Sequence, residues 1–333
     1  MPRAFRLAEW LYEDGIGEER AVLVENGRIV AARIERHGGI KPGTVLKAQL
    51  VSRVVANTRG IVKFADGEGA LLSPLPKGLN EGQSLMVEVT RAAIDEQSRF
   101  KLPVVKAAVD EVPRNSPTLL AQIGGPVTPC YAHDDDRFEA HGWGELLEEA
   151  RTGQVVFVGG ALQVSLTPAM TLIDVDGDLA PAALALAAST AAAQAIQRLD
   201  LQGNIGIDFP TLEAKADRQK ASGAFDSAMS GPFERTAING FGFMQILTRR
   251  TRQSIPEMMQ YRPALAEALS LLRRAERDRR TGAMQLVAHP AVLTHIQAQS
   301  DWMVLLARRT GRSVSLRADA QLAIGAGYVE ATA

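Results

Sequence analysis

The sequence predicts a multidomain α+β protein, and three observations carry that expectation. Five short apolar runs, separated by Gly-, Pro- and Asn-rich turns, follow one another between residues 43 and 106. This is the pattern of a small closed barrel such as an OB-fold. Between 171 and 209 a short apolar run, a long alanine-rich stretch and a second apolar run read as a β–α–β unit. From Met284 onward short strands alternate with one helix, as in a small α/β domain.

Each element has its own signal. RAVLVENGRIVAARIE, residues 20–35, reads as a hairpin, because alternating apolar runs flank Asn26-Gly27. The barrel strands are TVLKAQLVSRVVA, GIVKFA, GALLSPL, SLMVEVTRAAI and RFKLPVV. Residues 107–153 are irregular, broken by Pro113, Pro117, Pro126 and Pro129, with a solvated loop at His133–Arg137 and a helix from Trp143 to Ala150. QVVFVGG and LQVSLTPA pair as a hairpin, and MTLIDVDG follows as a buried strand. Asp178 then caps a helix with Pro181 in its first turn, which runs to about Leu199 and stops near Gly203. NIGIDF is the returning strand. Residues 211–229 and 234–252 read as two further helices, and 262–280 as an Arg-rich amphipathic one.

Composition narrows the function. The 333 residues are 46% hydrophobic and 23% charged, which excludes a wholly disordered chain. A net charge of −1 excludes a uniformly basic polyanion binder, so any nucleic-acid surface must be local. The single cysteine, Cys130, excludes an internal disulfide and a multi-cysteine zinc site and fits a reducing cytoplasm. The opening Met1–Arg6 soon meets Glu9, Glu13 and Asp14, which does not read as a signal peptide. Leu179–Gln197 is uncharged but mostly alanine, which suits a buried soluble helix rather than a membrane span. A cytoplasmic protein with no membrane partner is expected.

The chemistry points to Asp174 and Asp208. Each lies at the end of a short apolar strand, in LIDVDG and GIDFP. One helix between the two strands makes them parallel, so both carboxylates come to the carboxyl edge of the sheet. Asp176 is two residues past Asp174, on the same side of its strand. Converging carboxylates need a cation, and oxygen ligands favour Mg²⁺ or Mn²⁺. Such an ion activates water against a phosphodiester. The plainer alternative is that Asp174, Asp176 and Asp178 form only a polar turn and helix cap.

In these residues the chain resembles the ribonuclease E/G family. The family pattern of Ile-Asp-hydrophobic-Asn before a helix, then Ile-Asp-Phe, appears as Ile173-Asp174-Val175-Asp176-Gly177 and Ile207-Asp208-Phe209. A basic helix follows at Asp217–Lys220, then Phe241-Gly242, then Thr248-Arg249-Arg250-Thr251-Arg252. The resemblance covers most of the chain in the family's order. It implies an OB-fold barrel inserted in an RNase H-like/DNase I-like catalytic core, with a small C-terminal α/β domain. The implied boundaries are 1–42 for the N-terminal strands, 43–106 for the barrel, 107–153 for a shortened connection, 154–257 for the DNase I-like subdomain and 258–333 for the small domain. It also implies catalysis by Asp174, Asp208 and Asp176, one Mg²⁺ on Asp174 and Asp208, and products with a 5′-phosphate and a 3′-hydroxyl.

The chain departs from the family in several places. Asp176 replaces the family's Asn, no segment suits 5′-end sensing, and aliphatics near Ile61 and Leu71 replace the barrel's aromatic pair. No Cys-x-x-Cys precedes the small domain, so no zinc is expected and any homo-oligomer is not zinc-linked. Asn239-Gly240 stands where the family often has a basic residue before Phe-Gly.

The expected function is Mg²⁺-dependent cleavage of single-stranded RNA during RNA processing or decay. The expected RNA contacts are Arg249, Arg250, Arg252, Arg218, Lys220, Lys63 and Lys101, each of which also reads as ordinary solvated surface. Two alternatives stay open: a non-catalytic RNA-binding accessory protein of the same fold, and a phosphoesterase for a small substrate.

Overall fold

The computed structural model describes residues 8–55, 58–96, 100–109 and 112–332. The segment Met1–Arg6, read above for a leader, lies outside the described residues, as does Arg99 of the RFKLPVV run.

The chain begins with strand β1 (Glu9–Asp14), then the hairpin β2 (Glu18–Glu25) and β3 (Arg28–Arg36). Asn26 and Gly27 take positive φ values of 50° and 79°, as a tight hairpin turn between twisted strands requires. The barrel comprises β4 (Val45–Val54), β5 (Arg59–Lys63), β6 (Gly69–Leu72) and β7 (Ser84–Arg91). Next come the short strands β8 (Ile94–Asp95) and β9 (Phe100–Lys101), and then β10 (Val104–Ala107), which closes the barrel. The expected strand RFKLPVV is therefore two strands. Pro103 has no N–H for a ladder and divides them, so Lys101 stands on a small hairpin rather than on the barrel.

Around the barrel the order is β10-β6-β5-β4-β7, with β10 parallel to β6 and antiparallel to β7. This is an OB-like closed barrel. Leu50, Val62, Leu72, Val87 and Val105 fill its interior.

Helix α1 (Leu119–Gln122), strand β11 (Val127–Pro129), α2 (Arg137–Ala140) and α3 (Trp143–Thr152) follow. The sequence reading missed β1 and β11, which pair in parallel at Trp10↔Val127. A three-residue strand ending in Pro129 has too little periodicity to announce itself.

Next are β12 (Gln154–Phe157), β13 (Gly160–Leu166), β14 (Thr171–Gly177), α4 (Pro181–Arg198), β15 (Asn204–Asp208) and α5 (Lys215–Ala228). The expected β–α–β unit is present, with β14 and β15 parallel. Asp178 does not cap α4: the cap is Ala180, with no side-chain hydrogen bond.

Residues 234–252 are not helical. They form β16 (Glu234–Arg235) and β17 (Phe243–Leu247), joined by a loop. Met244 and Ile246 are buried while Phe243, Gln245 and Leu247 lie on the other side, a period of two that a sheet satisfies. The six-stranded sheet runs β12-β13-β14-β15-β17-β16.

The chain ends with α6 (Ile255–Tyr261), α7 (Pro263–Glu276), β18 (Ala283–Ala288), α8 (Pro290–Gln297), α9 (Ser300–Thr310), β19 (Val314–Ala318) and β20 (Tyr328–Thr332). From Met284 onward two α-helices, α8 and α9, stand where one is expected. Among the described residues no helix is long and apolar enough to cross a membrane.

The contacts divide the chain into two compact units. One contains residues 1–37, 123–151 and 258–333, and the other 38–122 and 152–257. Inside the first, α7 carries a buried ionic cluster. Arg273 donates to Glu13 at 2.8 Å and to Asp136 at 2.7 Å, and Arg20 reaches Glu13 at 2.8 Å. Arg273 is therefore bound across elements, while Arg274 pairs with Glu267 along α7 itself. Asp136 is also tied down, as the N-cap of α2. The second unit holds the barrel and the six-stranded sheet.

Candidate functional site

Register builds the site. Ile173, Ile205, Ile207, Met244 and Ile246 are fully buried on one face of the six-stranded sheet, the face on which α4 packs. Each such side chain contributes about 1.5–3 kcal/mol by leaving water. A slip of one residue would turn them outward and bury the acids, so the register is strongly specified. The opposite face is left exposed at Gln163, Asp174, Asn204 and Asp208.

On that face Asp174 and Asp208 are direct partners, paired in register across the parallel strands β14 and β15. Adjacent strands lie about 4.8 Å apart, so the two side chains leave the sheet side by side. Both are exposed, and among the described residues none donates a hydrogen bond or forms an ion pair with either carboxylate. β14 does not end at Asp174. It continues to Gly177 against β13, while β15 ends at Asp208.

Asp176 shares the face but stands opposite Ala161, past the last pairing with β15. Two residues along a strand is about 6.6 Å, so Asp176 flanks the pair rather than completing it. Among the described residues no group of three or more His, Cys, Asp or Glu is placed to hold a metal ion. A closed four-ligand zinc cage therefore does not fit this site. Two adjacent carboxylates do fit Mg²⁺, which keeps most of its waters and takes one or two carboxylates plus phosphate oxygens.

The arginine segment, expected to contact RNA, does not stand beside the acids. β17 is antiparallel to β15, with Phe243 beside Asp208 and Leu247 beside Asn204. Arg249–Arg252 thus leave the sheet at the end away from the acids, about 13 Å along the strand. Two of the three arginines are bound. Arg252 pairs with the buried Asp200 at 2.6 Å, and Arg250 pairs with Glu257. Gln202 Oε1 accepts from the Thr251 N–H at 2.8 Å, and Thr248 Oγ1 accepts from Gly203 N–H at 2.9 Å. The segment braces the turn that feeds β15. Arg249 alone is exposed and without a partner among the described residues.

The remaining expected contacts are dispersed. Arg218 folds back to donate to the carbonyls of Leu212 and Glu213, the latter at 2.9 Å. Lys220 is exposed 3.7 Å from Asp217. Lys101 pairs with Glu96. Lys63 is exposed on the barrel exterior, two residues from the outward pair Ile61↔Leu71. Phe64 belongs to the barrel core.

Sequence reasoning missed a cationic groove of about 390 Å³ along α5, lined by Lys215, Arg218 and Arg235. Arg235 is held by Asp226, which keeps that carboxyl below the ordinary range. The neighbours converge only once 234–235 is a strand.

No protein-family model matches the chain, and no curated protein does.

Proposed function

We propose that the protein is a divalent-metal-dependent endoribonuclease acting on single-stranded RNA. The observation that carries the reading is the register pair Asp174↔Asp208, two unneutralised carboxylates side by side on an exposed sheet face. Like charges this close raise the energy of the free site and favour a cation between them. Asp174 and Asp208 would hold Mg²⁺ or Mn²⁺, which supplies water activation and charge stabilisation at a scissile phosphate. Asp176 would act from beside the pair.

The OB-like barrel lies in the same unit, tied to the brace segment by the Ala92 N–H to Thr251 carbonyl hydrogen bond at 2.8 Å. Oligonucleotides are common ligands of such barrels. Lys63 and Arg249 are exposed cations of that unit suited to phosphates. The reading includes the finer fold assignment, DNase I-like for the six-stranded sheet and RNase H-like for the N-terminal strands, and membership of the ribonuclease E/G family. Its products would be a 5′-phosphate and a 3′-hydroxyl.

The test is incubation of labelled single-stranded RNA with Mg²⁺, with and without EDTA. Internal cleavage that EDTA abolishes is the expected result, and cleavage indifferent to EDTA overturns it. One observation favours a second reading, a non-catalytic RNA binder: among the described residues no third acid, histidine or cysteine joins the pair to hold a metal ion. RNA shifted in a gel but left whole with Mg²⁺ or Mn²⁺ would establish that reading instead.

A further inference from the structure

Phe241 is 86% exposed, yet the loop that carries it is fastened on every side. Asn239 Oδ1 accepts from the N–H groups of Phe241 at 2.9 Å and Phe243 at 3.0 Å. Asn239 N–H donates to the Phe243 carbonyl at 3.0 Å, and Gly242 N–H to the Asn239 carbonyl at 3.2 Å. Phe209, the residue after Asp208, donates its N–H to the Gly242 carbonyl at 3.1 Å. Gly242 has φ of +94°, and a Cβ there would lie 2.2 Å from the Phe209 carbonyl oxygen. Only glycine lets the loop close this tightly on the strand that carries Asp208.

The same turn sends Phe243 onto the exposed face. It is the cross-strand partner of Asp208, and its ring fills the space over Gly206, where a Cβ would meet its Cζ at 2.6 Å. Phe243 thus stands beside Asp208 on the face of the acid pair, and the loop that carries Phe241 leads into it. A lone exposed aromatic is unremarkable in itself. This one contributes nothing to a core, and its backbone is held in a loop fastened to Phe209, the residue after Asp208. On the barrel exterior, where single-strand binders commonly present aromatics, the corresponding pair is aliphatic, Ile61 and Leu71.

We infer that Phe241 is the base-stacking residue of this protein, and the inference rests on the nuclease reading above. Its ring takes the face of an unpaired base next to the phosphodiester at Asp174 and Asp208, with Phe243 as the adjoining apolar surface. The ligand is single-stranded because the bases of a duplex are already stacked on each other. Every base has a π-face, so the contact sets position along the strand rather than sequence.

The test compares F241A and F241W with the wild type, using a short oligouridylate. In EDTA, where cleavage is absent, F241A is expected to bind roughly 5- to 100-fold more weakly, the scale of one lost base stack. With Mg²⁺ its KM rises by a similar factor while kcat changes less, and its Tm is unchanged. F241W restores binding, and the oligonucleotide quenches the emission that this substitution adds to that of Trp10, Trp143 and Trp302. Unchanged binding and KM in F241A, or unquenched emission in F241W, overturns the Phe241 assignment while a cleaving wild type keeps the nuclease reading. A wild type that neither binds nor cleaves RNA overturns both.

Discussion

Asp174 and Asp208 are cross-strand partners, facing water on adjacent parallel strands with no counter-charge among the described residues. Neither carboxylate supports the fold, so removing its charge relieves repulsion without opening a cavity. D174N and D208N are expected to retain or slightly raise Tm and to lose RNA cleavage on the order of 10³-fold or more. D176N should lose less, because Asp176 stands opposite Ala161. Cleavage assays beside thermal denaturation check this. A wild-type rate in D174N or D208N removes the metal-pair assignment.

The arginine segment separates binding from bracing. R249A removes an exposed, unpartnered cation, so it should weaken RNA affinity across sequences and lower the slope of log affinity against log salt by about one, with Tm unchanged. R252A removes the counter-charge of Asp200, whose side chain is 6% exposed, while leaving it the Gln202 amide hydrogen bond, and should cost roughly 1–3 kcal/mol of stability. Equal Tm in the two variants would contradict the division.

These two cases show what the residues disclose along the chain and what they conceal. The alternation in NIGIDF and LIDVDG, with a helix between, fixed both the parallel pairing and the side on which the acids emerge. The barrel was legible because Gly, Pro and Asn punctuate its strands. FGFMQIL lies in the stretch 234–252 that reads as helix by sequence, although its period of two suits a strand paired with β15. Antiparallel pairing with β15 carries the arginines that follow it to the end of the sheet away from the acids. The Glu13–Arg273 contact spans 260 residues, and no local pattern announces it.

Gly242 should tolerate no side chain. Its positive φ and the 2.2 Å approach to the Phe209 carbonyl oppose a methyl group, and the obstacle is backbone that cannot rotate aside. G242A is expected to lose about 1–3 kcal/mol. The measurement is a shift in the midpoint of urea unfolding at unchanged slope. G206A meets first the Phe243 ring and Leu172, side chains that are able to turn, and should lose less. The reverse order would refute this account of the loop.

Glu13 links the stability of the first unit to pH. Burial by itself would raise its carboxyl, but Arg20, Arg273 and Arg277 outweigh burial and hold it at about 2. A carboxyl depressed on folding stabilises the protein above its unfolded pKa, about 4.3, and that contribution fades as pH falls toward 2. The contribution at neutral pH is on the order of 3 kcal/mol. E13Q leaves the buried Arg20 and Arg273 without this counter-charge, so it is less stable at pH 7 and loses less on going from pH 5 to about 2. Urea unfolding of both proteins across that range decides it. Parallel losses would show that Glu13 is not the titrating group.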